Sequence, residues 1–156
     1  MRIKIQETAI SDFAHNFEQL SHIQNRFCNL LDLDFNITSQ LEKQAKFRPS
    51  IKKPGIRVNV KFSDIIPALT IDYYQQIIID YIQGIGWDDL QYVGFIQKSN
   101  VVVEIDIIFN RIISQNRVIS LRCLGANWQQ YQIIRDSYSN ILQSLSPNSL
   151  CLMNAL

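Results

Sequence analysis

The part of the sequence that most constrains the fold follows the Pro54-Gly55 turn, where apolar and polar side chains alternate strictly. The alternating residues are Ile56, Arg57, Val58, Asn59, Val60, Lys61, Phe62 and Ser63. Successive side chains of a β-strand point to opposite faces, so this pattern predicts a strand with one face on a core and the other in a polar environment. Such a strand needs partner strands and a covering layer, and the chain must therefore build a sheet.

The composition supports a sheet combined with helices. Of the 156 residues, 47% are hydrophobic, which excludes disorder because it provides enough apolar side chains for a core. The 25 isoleucines stand in short runs with other β-branched residues rather than in one long segment. Runs of this kind favour strands and argue against an all-helical bundle.

Hydrophobic periodicity predicts further elements on both sides of this strand. The predicted strands are Arg2–Gln6, Asn29–Phe35, Ile56–Ser63, Leu90–Gln97, Val101–Ile113 and Asn116–Arg122. The predicted helices run from Ser11 or Asp12 to about Asn25, from Thr38 or Ser39 to about Phe47, from Thr70 to Ile85, and from Trp128 to Leu145. The third helix has one apolar stripe, formed by Ile71, Tyr74, Ile78, Tyr81, Ile82 and Ile85. The tight polar turn Lys98-Ser99-Asn100 predicts a hairpin between the fourth and fifth strands. The last helix is expected to face the core with Trp128, Tyr131, Ile134, Tyr138 and Ile141. This order predicts one α+β domain, residues 1–145, with a mostly antiparallel central sheet covered by helices, and a C-terminal tail, residues 146–156, that begins with a helix stop.

Several classes of protein are excluded. Three separate cysteines, Cys28, Cys123 and Cys151, fit neither a disulfide framework nor a zinc site, and they indicate a reducing cytoplasm. The N-terminal residues lack the apolar region of a signal peptide, and no apolar run reaches the ~20 residues that span a bilayer. We therefore expect a cytoplasmic protein without a membrane partner.

Positive charge is concentrated between Lys43 and Lys61, in what is called the basic segment below. Its seven basic residues are Lys43, Lys46, Arg48, Lys52, Lys53, Arg57 and Lys61, and it has no acidic residue. Since the net formal charge is +1, the rest of the chain carries −6. Contact with nucleic-acid phosphates requires cations at this density, and a solvated loop and helix face carries them as well. Both interpretations are open at this point.

Two carboxylates on one predicted strand form the second candidate site. Glu104 and Asp106 alternate with Val103, Ile105 and Ile107, so both point from the same face, about 7 Å apart at a rise of about 3.3 Å per residue. Like charges among apolar neighbours need a cation, hydrogen bonds or water, and such pairs occur in metal and acid-base sites. An outer sheet face in water would account for them equally well.

Four passages in the middle of the chain form a recognisable series. They are Arg48–Pro54, the helix that follows Leu69-Thr70 and ends in Tyr81–Trp87, the segment Asp89–Val93, and Phe109–Ile112. In this order and spacing they resemble the relaxase domain of plasmid mobilisation nucleases, the MobA/VirD2 type of the HUH class. The similarity extends over residues 40–113, roughly half the chain. It implies a relaxase-like (HUH endonuclease-like) fold.

At the positions where relaxases carry their catalytic residues, this chain departs from the family pattern. These differences imply that the relaxase reaction is absent. Relaxases hold a divalent metal with three histidines, and the matching positions here are Gln97, Glu104 and Asp106. They also carry a nucleophilic tyrosine in or near the first helix, where this chain has Phe13 and Phe17. A phenyl ring cannot attack phosphorus, so the covalent phosphotyrosyl step has no nucleophile and no catalytic residue is assigned.

The preferred hypothesis is a degenerate relaxase-like protein that needs no cofactor and binds single-stranded or hairpin DNA. Its phosphate contacts would be Arg48, Lys52, Lys53 and Arg57. The Asn110-Arg111 pair is expected to support the fold and a DNA-facing groove.

Two alternatives follow from the same residues. Gln97, Glu104 and Asp106 are all oxygen donors, and they would suit Mg²⁺ or Mn²⁺ in a metal-dependent nuclease that uses activated water. A protein that uses the scaffold only as an interaction surface, for a protein partner or a homodimer, would bind neither DNA nor metal.

Overall fold

The computed structural model describes residues 1–30, 36–65 and 69–154, with side chains up to Leu145. The strands are β1 (Arg2–Ile10), β2 (Asn25–Cys28), β3 (Gly55–Ser63), β4 (Tyr92–Lys98) and β5 (Val102–Asn110). The helices are α1 (Phe13–Leu20), α2 (Ile37–Ala45), α3 (Ile71–Gly84) and α4 (Trp128–Asn154). In the described part of the chain, the predicted α+β class is confirmed by a five-stranded antiparallel sheet and four helices.

The strands of the sheet lie in the order β1-β3-β5-β4-β2, and every neighbouring pair is antiparallel. The alternating stretch that predicts a strand forms β3, and the predicted hairpin joins β4 to β5. In the hairpin turn, the N–H of Ser99 donates to Val102 O at 2.9 Å. Central β5 is buried on both faces, with Ile105 and Ile107 on one and Ile108 on the other.

Helices α3 and α4 cover one face of the sheet and form the larger core with it. Tyr74 and Ile82 of α3 are buried there, as the apolar stripe predicts, together with Ile134 of α4. The prediction that Trp128 faces this core is wrong, because its exposed fraction is 71%. Gln130, four residues before Ile134, holds the inward position in the first turn of α4 instead.

Helices α1 and α2 pack on part of the opposite face. Their buried residues Phe13, Leu20 and Leu41 contact the side of the sheet that carries Phe95 of β4 and Ile108 of β5. The part of this face nearer β1 carries polar side chains of β1, β3 and β5, most of them exposed or partly buried, with Asp106 buried. We call it the polar part of the sheet, and it contains the two predicted carboxylates.

Strand β2 lies earlier in the chain than the predicted strand Asn29–Phe35, whose residues 31–35 lie outside the described ones. Asn29 ends the pairing of β2 with β4 through its side-chain amide. This amide donates to Leu90 O at 2.6 Å and accepts from the N–H of Tyr92 at 2.8 Å. A side chain that bonds the backbone in this way competes with continuation of the strand.

The predicted strand Asn116–Arg122 is wrong. Its only pairing in the described residues is a single bridge between Ile112 and Val118, after which the chain turns through a short 3₁₀ helix, Leu121–Cys123. The hydroxyl oxygen of Ser120 accepts the N–H of Arg122 at 3.2 Å, which stabilises the turn over an extended strand.

Helix α4 continues to Asn154, past Leu145 where the sequence predicts its end. It thus passes through Pro147, which has no N–H to donate to the preceding turn. Within the described residues, no helix combines the length and the apolar character that crossing a membrane requires.

Candidate nucleic-acid interface

The connection between α2 and β3 holds three of the four predicted phosphate contacts. Lys52 and Lys53 are exposed, and Arg48 is partly buried with its Nη1 donating to Gln115 O at 3.2 Å. None of the three forms an ion pair with a carboxylate in the part of the chain that the structure describes. Their charge is therefore available to an anionic ligand.

Backbone hydrogen bonds give this connection a defined shape. The N–H of Phe47 donates to Gln44 O and the N–H of Arg48 donates to Ala45 O, both at 3.1 Å, which extends the last turn of α2. The N–H of Ile51 then donates to Arg48 O at 3.1 Å. Cations on an ordered backbone lose less conformational entropy on binding than cations on a mobile loop.

Arg111 anchors the same connection through hydrogen bonds to backbone carbonyls. The sequence predicts that the Asn110-Arg111 pair supports the fold, and these bonds are the contacts that Arg111 contributes. Its Nε donates to Lys53 O at 2.6 Å, its Nη1 to Ile119 O at 2.9 Å, and its backbone N–H to Pro54 O at 3.0 Å. Burial, followed by the charge of Arg48, lowers the pKa of Arg111. Backbone carbonyls thus hold a buried guanidinium and fix the end of the connection that carries the exposed lysines.

Arg57 does not join the other three predicted contacts, because it lies on the polar part of the sheet. Its Nε and Nη2 both lie 3.2 Å from Asp106 Oδ1, and these contacts form an ion pair. Its Nη1 donates to Gln19 Oε1 at 2.6 Å and to Asn16 Oδ1 at 3.2 Å. The guanidinium is therefore compensated within the fold, and sequence alone could not show this because its partners come from α1 and β5.

A groove of about 410 Å³ lies on the polar part of the sheet. Its lining residues are Gln6, Thr8, Ile10, Asn16, Arg57, Asn59, Glu104 and Asp106. Glu104 and Asp106 lie on one face, as the alternation predicts, and Asn59 is the residue of β3 opposite Asp106. The Nδ2 of Asn59 donates to Glu104 Oε1 at 2.9 Å and to Asp106 Oδ1 at 3.1 Å. An amide and a guanidinium thus compensate the two like charges.

The three residues predicted as metal ligands have other partners in this structure. Asp106 is 5% exposed and its Oδ1 is paired with Arg57, while the side chain of Gln97 lies 3.2 Å from Nε2 of His22. Gln97 is nevertheless the residue of β4 opposite Glu104. No group of three or more His, Cys, Asp or Glu suited to a metal occurs among the described residues. The guanidinium occupies the position beside Asp106 where a cation would be required.

The two phenylalanines at the expected position of a nucleophile are packing residues. Phe13 is buried against the start of β3, where Gly55 leaves room for its ring. Phe17 packs edge-on against Phe95 with 5.5 Å between ring centroids, and the guanidinium of Arg26 lies 5.5 Å from the same ring. Both phenylalanines belong to α1, and Asp12 caps this helix by accepting the N–H of His15 at 2.9 Å, as the sequence predicts.

No protein-family model and no curated protein sequence matches this chain. The contacts and charges of the described residues are therefore the basis on which a function is inferred.

Proposed function

We propose that this protein binds nucleic acid through phosphate contacts made by Arg48, Lys52 and Lys53. The observation that carries the proposal is the placement of three cations on one hydrogen-bonded connection, without an ion-pair partner among the described residues. Phosphates that bind there release condensed counterions, and this release favours binding. Exposed Lys43 and Lys46 at the end of α2 extend the same positive surface.

The resemblance to mobilisation relaxases supports single-stranded or hairpin DNA as the ligand. The chemistry of that family has no support in this chain, because Phe13 and Phe17 pack in the fold and neither ring can attack a phosphate. The proposed role is therefore to hold a strand rather than to cleave it.

The metal-dependent nuclease has less support than binding alone. A buried carboxylate attracts a cation most strongly when it has no other counter-charge, and Asp106 is already paired with Arg57 and hydrogen-bonded to Asn59. We therefore do not assign Gln97, Glu104 and Asp106 a catalytic role.

Charge reversal at the exposed lysines tests the proposal. In Lys52→Glu/Lys53→Glu, affinity for a single-stranded oligonucleotide should fall about tenfold or more, and the slope of log affinity against log salt should become shallower by about two. Fluorescence anisotropy titrations at several salt concentrations measure both quantities. The matched control is Lys98→Glu/Arg135→Glu, which makes the same change in net charge at exposed positions outside the basic segment.

An unchanged affinity and salt slope in the Lys52→Glu/Lys53→Glu variant would refute the assignment of these residues. A wild-type protein that binds no oligonucleotide, and that light scattering shows to be a dimer, would favour the interaction-scaffold alternative instead.

A further inference from the structure

A cleft of about 530 Å³ adjoins the proposed phosphate contacts. It lies between the start of α1, the end of α2 and the connection that leads to β3, and Arg48 and Ile51 of that connection line it. Its volume is within the range of about 300–1,000 Å³ that is usual for ligand pockets. A group attached to a phosphate at Arg48 could therefore enter it.

The cleft combines three kinds of lining that one class of ligand would match. Ala45, Ile51 and Pro54 provide apolar surface, Lys46 and Arg48 provide positive charge, and Asp12 and Glu42 provide carboxylates. A nucleotide has an anionic phosphate, a flat apolar base and, in three of the four bases, an exocyclic amino group that donates hydrogen bonds.

The two carboxylates are not equivalent. Asp12 already accepts the N–H of His15 as the cap of α1. The exposed carboxylate of Glu42 has neither a hydrogen-bond nor an ion-pair partner within the described residues. The Glu42 carboxylate is thus free to accept a hydrogen bond from a ligand. Phosphate binding alone would favour a neutral or positive residue at this position beside the proposed contacts.

We propose that the cleft takes one unpaired base of the bound strand and that Glu42 accepts a hydrogen bond from its exocyclic amino group. The inference rests on the proposed function, because the phosphate of that nucleotide would lie at Arg48. Cytosine presents an amino group at the position where thymine presents a carbonyl, and a carboxylate attracts the first and repels the second. A base that is stacked and paired in a duplex cannot enter the cleft, so the cleft selects single strands.

The test compares oligodeoxycytidylate with oligothymidylate of equal length, at neutral pH and fixed salt. The wild-type protein should bind the cytidine strand about three- to tenfold more tightly, a range set by one hydrogen bond to a charged acceptor at an exposed site. Glu42→Ala should bring the two affinities close together, because the cytidine strand loses its hydrogen bond to the carboxylate and the thymidine strand is no longer repelled by it. Glu42→Gln should do so as well, because its amide can donate to the thymine carbonyl.

Glu18→Ala is the matched control, since it removes one exposed carboxylate from α1 outside the cleft. This variant should retain the wild-type preference. Equal wild-type affinity for the two strands, or a preference that survives in Glu42→Ala, would overturn the inference. In that case the phosphate contacts still stand if Lys52→Glu/Lys53→Glu weakens both strands, whereas absence of wild-type binding to either strand refutes both proposals.

Discussion

Gly94 shows how the absence of a side chain shapes the sheet. It lies opposite Phe27 in the pairing of β4 with β2, and the ring of Phe27 crosses it to join the core under α3 and α4. A Cβ at Gly94 would lie 2.2 Å from Cζ of that ring. The ring also packs edge-on against Tyr92, with 6.2 Å between centroids, so it is held from both sides.

Gly94→Ala should therefore destabilise the protein by about 1–3 kcal/mol, the usual cost of overpacking a core. Urea denaturation followed by circular dichroism measures the change. If overlap with the ring is the cause, Gly94→Ala should cost much less in a Phe27→Ala background than in the wild type. An equal cost in both backgrounds would mean that the backbone, not the ring, requires glycine here.

The carboxylate pair marks the limit of residue-level prediction from sequence. Alternation along β5 correctly places Glu104 and Asp106 on one face, because that inference needs only the geometry of a single strand. Their compensation by Arg57 and Asn59 depends on the register of β5 against β3, which are separated by about fifty residues in the chain. No local pattern encodes that register. The sequence alone therefore cannot show whether the two carboxylates are compensated by a cation, by hydrogen bonds or by water.

Three elements are joined by one partly buried polar network. Glu7 of β1 accepts Gln130 Nε2 of α4 at 2.8 Å on Oε1 and the N–H of Gly125 at 2.9 Å on Oε2. The hydroxyl of Tyr81 on α3 lies 3.5 Å from the same Oε1. Burial first, and the charge of Glu7 second, raise the pKa of Tyr81 above its ordinary value of 10.0.

This shift predicts a loss of stability at alkaline pH. The unfolded chain loses the Tyr81 proton near pH 10.0 while the folded protein retains it, so the contribution is complete below that pH and is lost as pH rises further. Each such proton gives a slope of about 1.4 kcal/mol per pH unit in the free energy of unfolding. Tyr81→Phe should reduce the slope, measured by urea titrations between about pH 9 and pH 12.

The loss of stability at alkaline pH should not disappear in Tyr81→Phe. Burial also raises the pKa of Tyr74, to about 12, and that of Tyr138, so these groups contribute to the same loss. Glu7→Gln should flatten the slope less than Tyr81→Phe, because burial is the larger cause of the shift. A Tyr81→Phe protein with the wild-type slope would show that this hydroxyl does not titrate as the geometry requires.

Elements with a strong local pattern were predicted, and those that depend on distant partners were not. β3, the β4–β5 hairpin and α3 follow from alternation, a polar turn and an apolar stripe. β2 and the inward face of the first turn of α4 do not, because Asn29 bonds β4 across the sheet and Gln130 bonds Glu7. A glutamine at a core position has no apolar signal, so the periodicity predicts Trp128 as the inward residue instead.

Charge is distributed unevenly over the molecule, so the net formal charge of +1 is the sum of a strongly positive segment and a negative remainder. The basic segment carries +7 and the remaining residues −6. The cations of the connection between α2 and β3 have no carboxylate partner among the described residues, whereas Arg57 of the same segment has Asp106. Ion pairing therefore removes Arg57 from the proposed phosphate contacts, and the proposal is limited to Arg48, Lys52 and Lys53 of the connection.

The order of the strands predicts which parts of the molecule open first. β5 is paired along its length with β3 and β4, and residues on both of its faces are buried. β2 is an edge strand of four residues that pairs only with β4 in the described structure. Amides of β5 should therefore exchange with solvent only when the whole domain unfolds, whereas those of β2 should exchange by local opening.

Hydrogen exchange followed by mass spectrometry of peptides measures this difference. Mild denaturant should speed exchange in β5 in proportion to its effect on global unfolding, and it should leave exchange in β2 nearly unchanged because local opening exposes little surface. Addition of a tightly bound oligonucleotide should slow exchange in β5, because a ligand of the native state lowers the unfolded population everywhere. Protection confined to the connection between α2 and β3 would mean that exchange in the central sheet does not proceed through global unfolding.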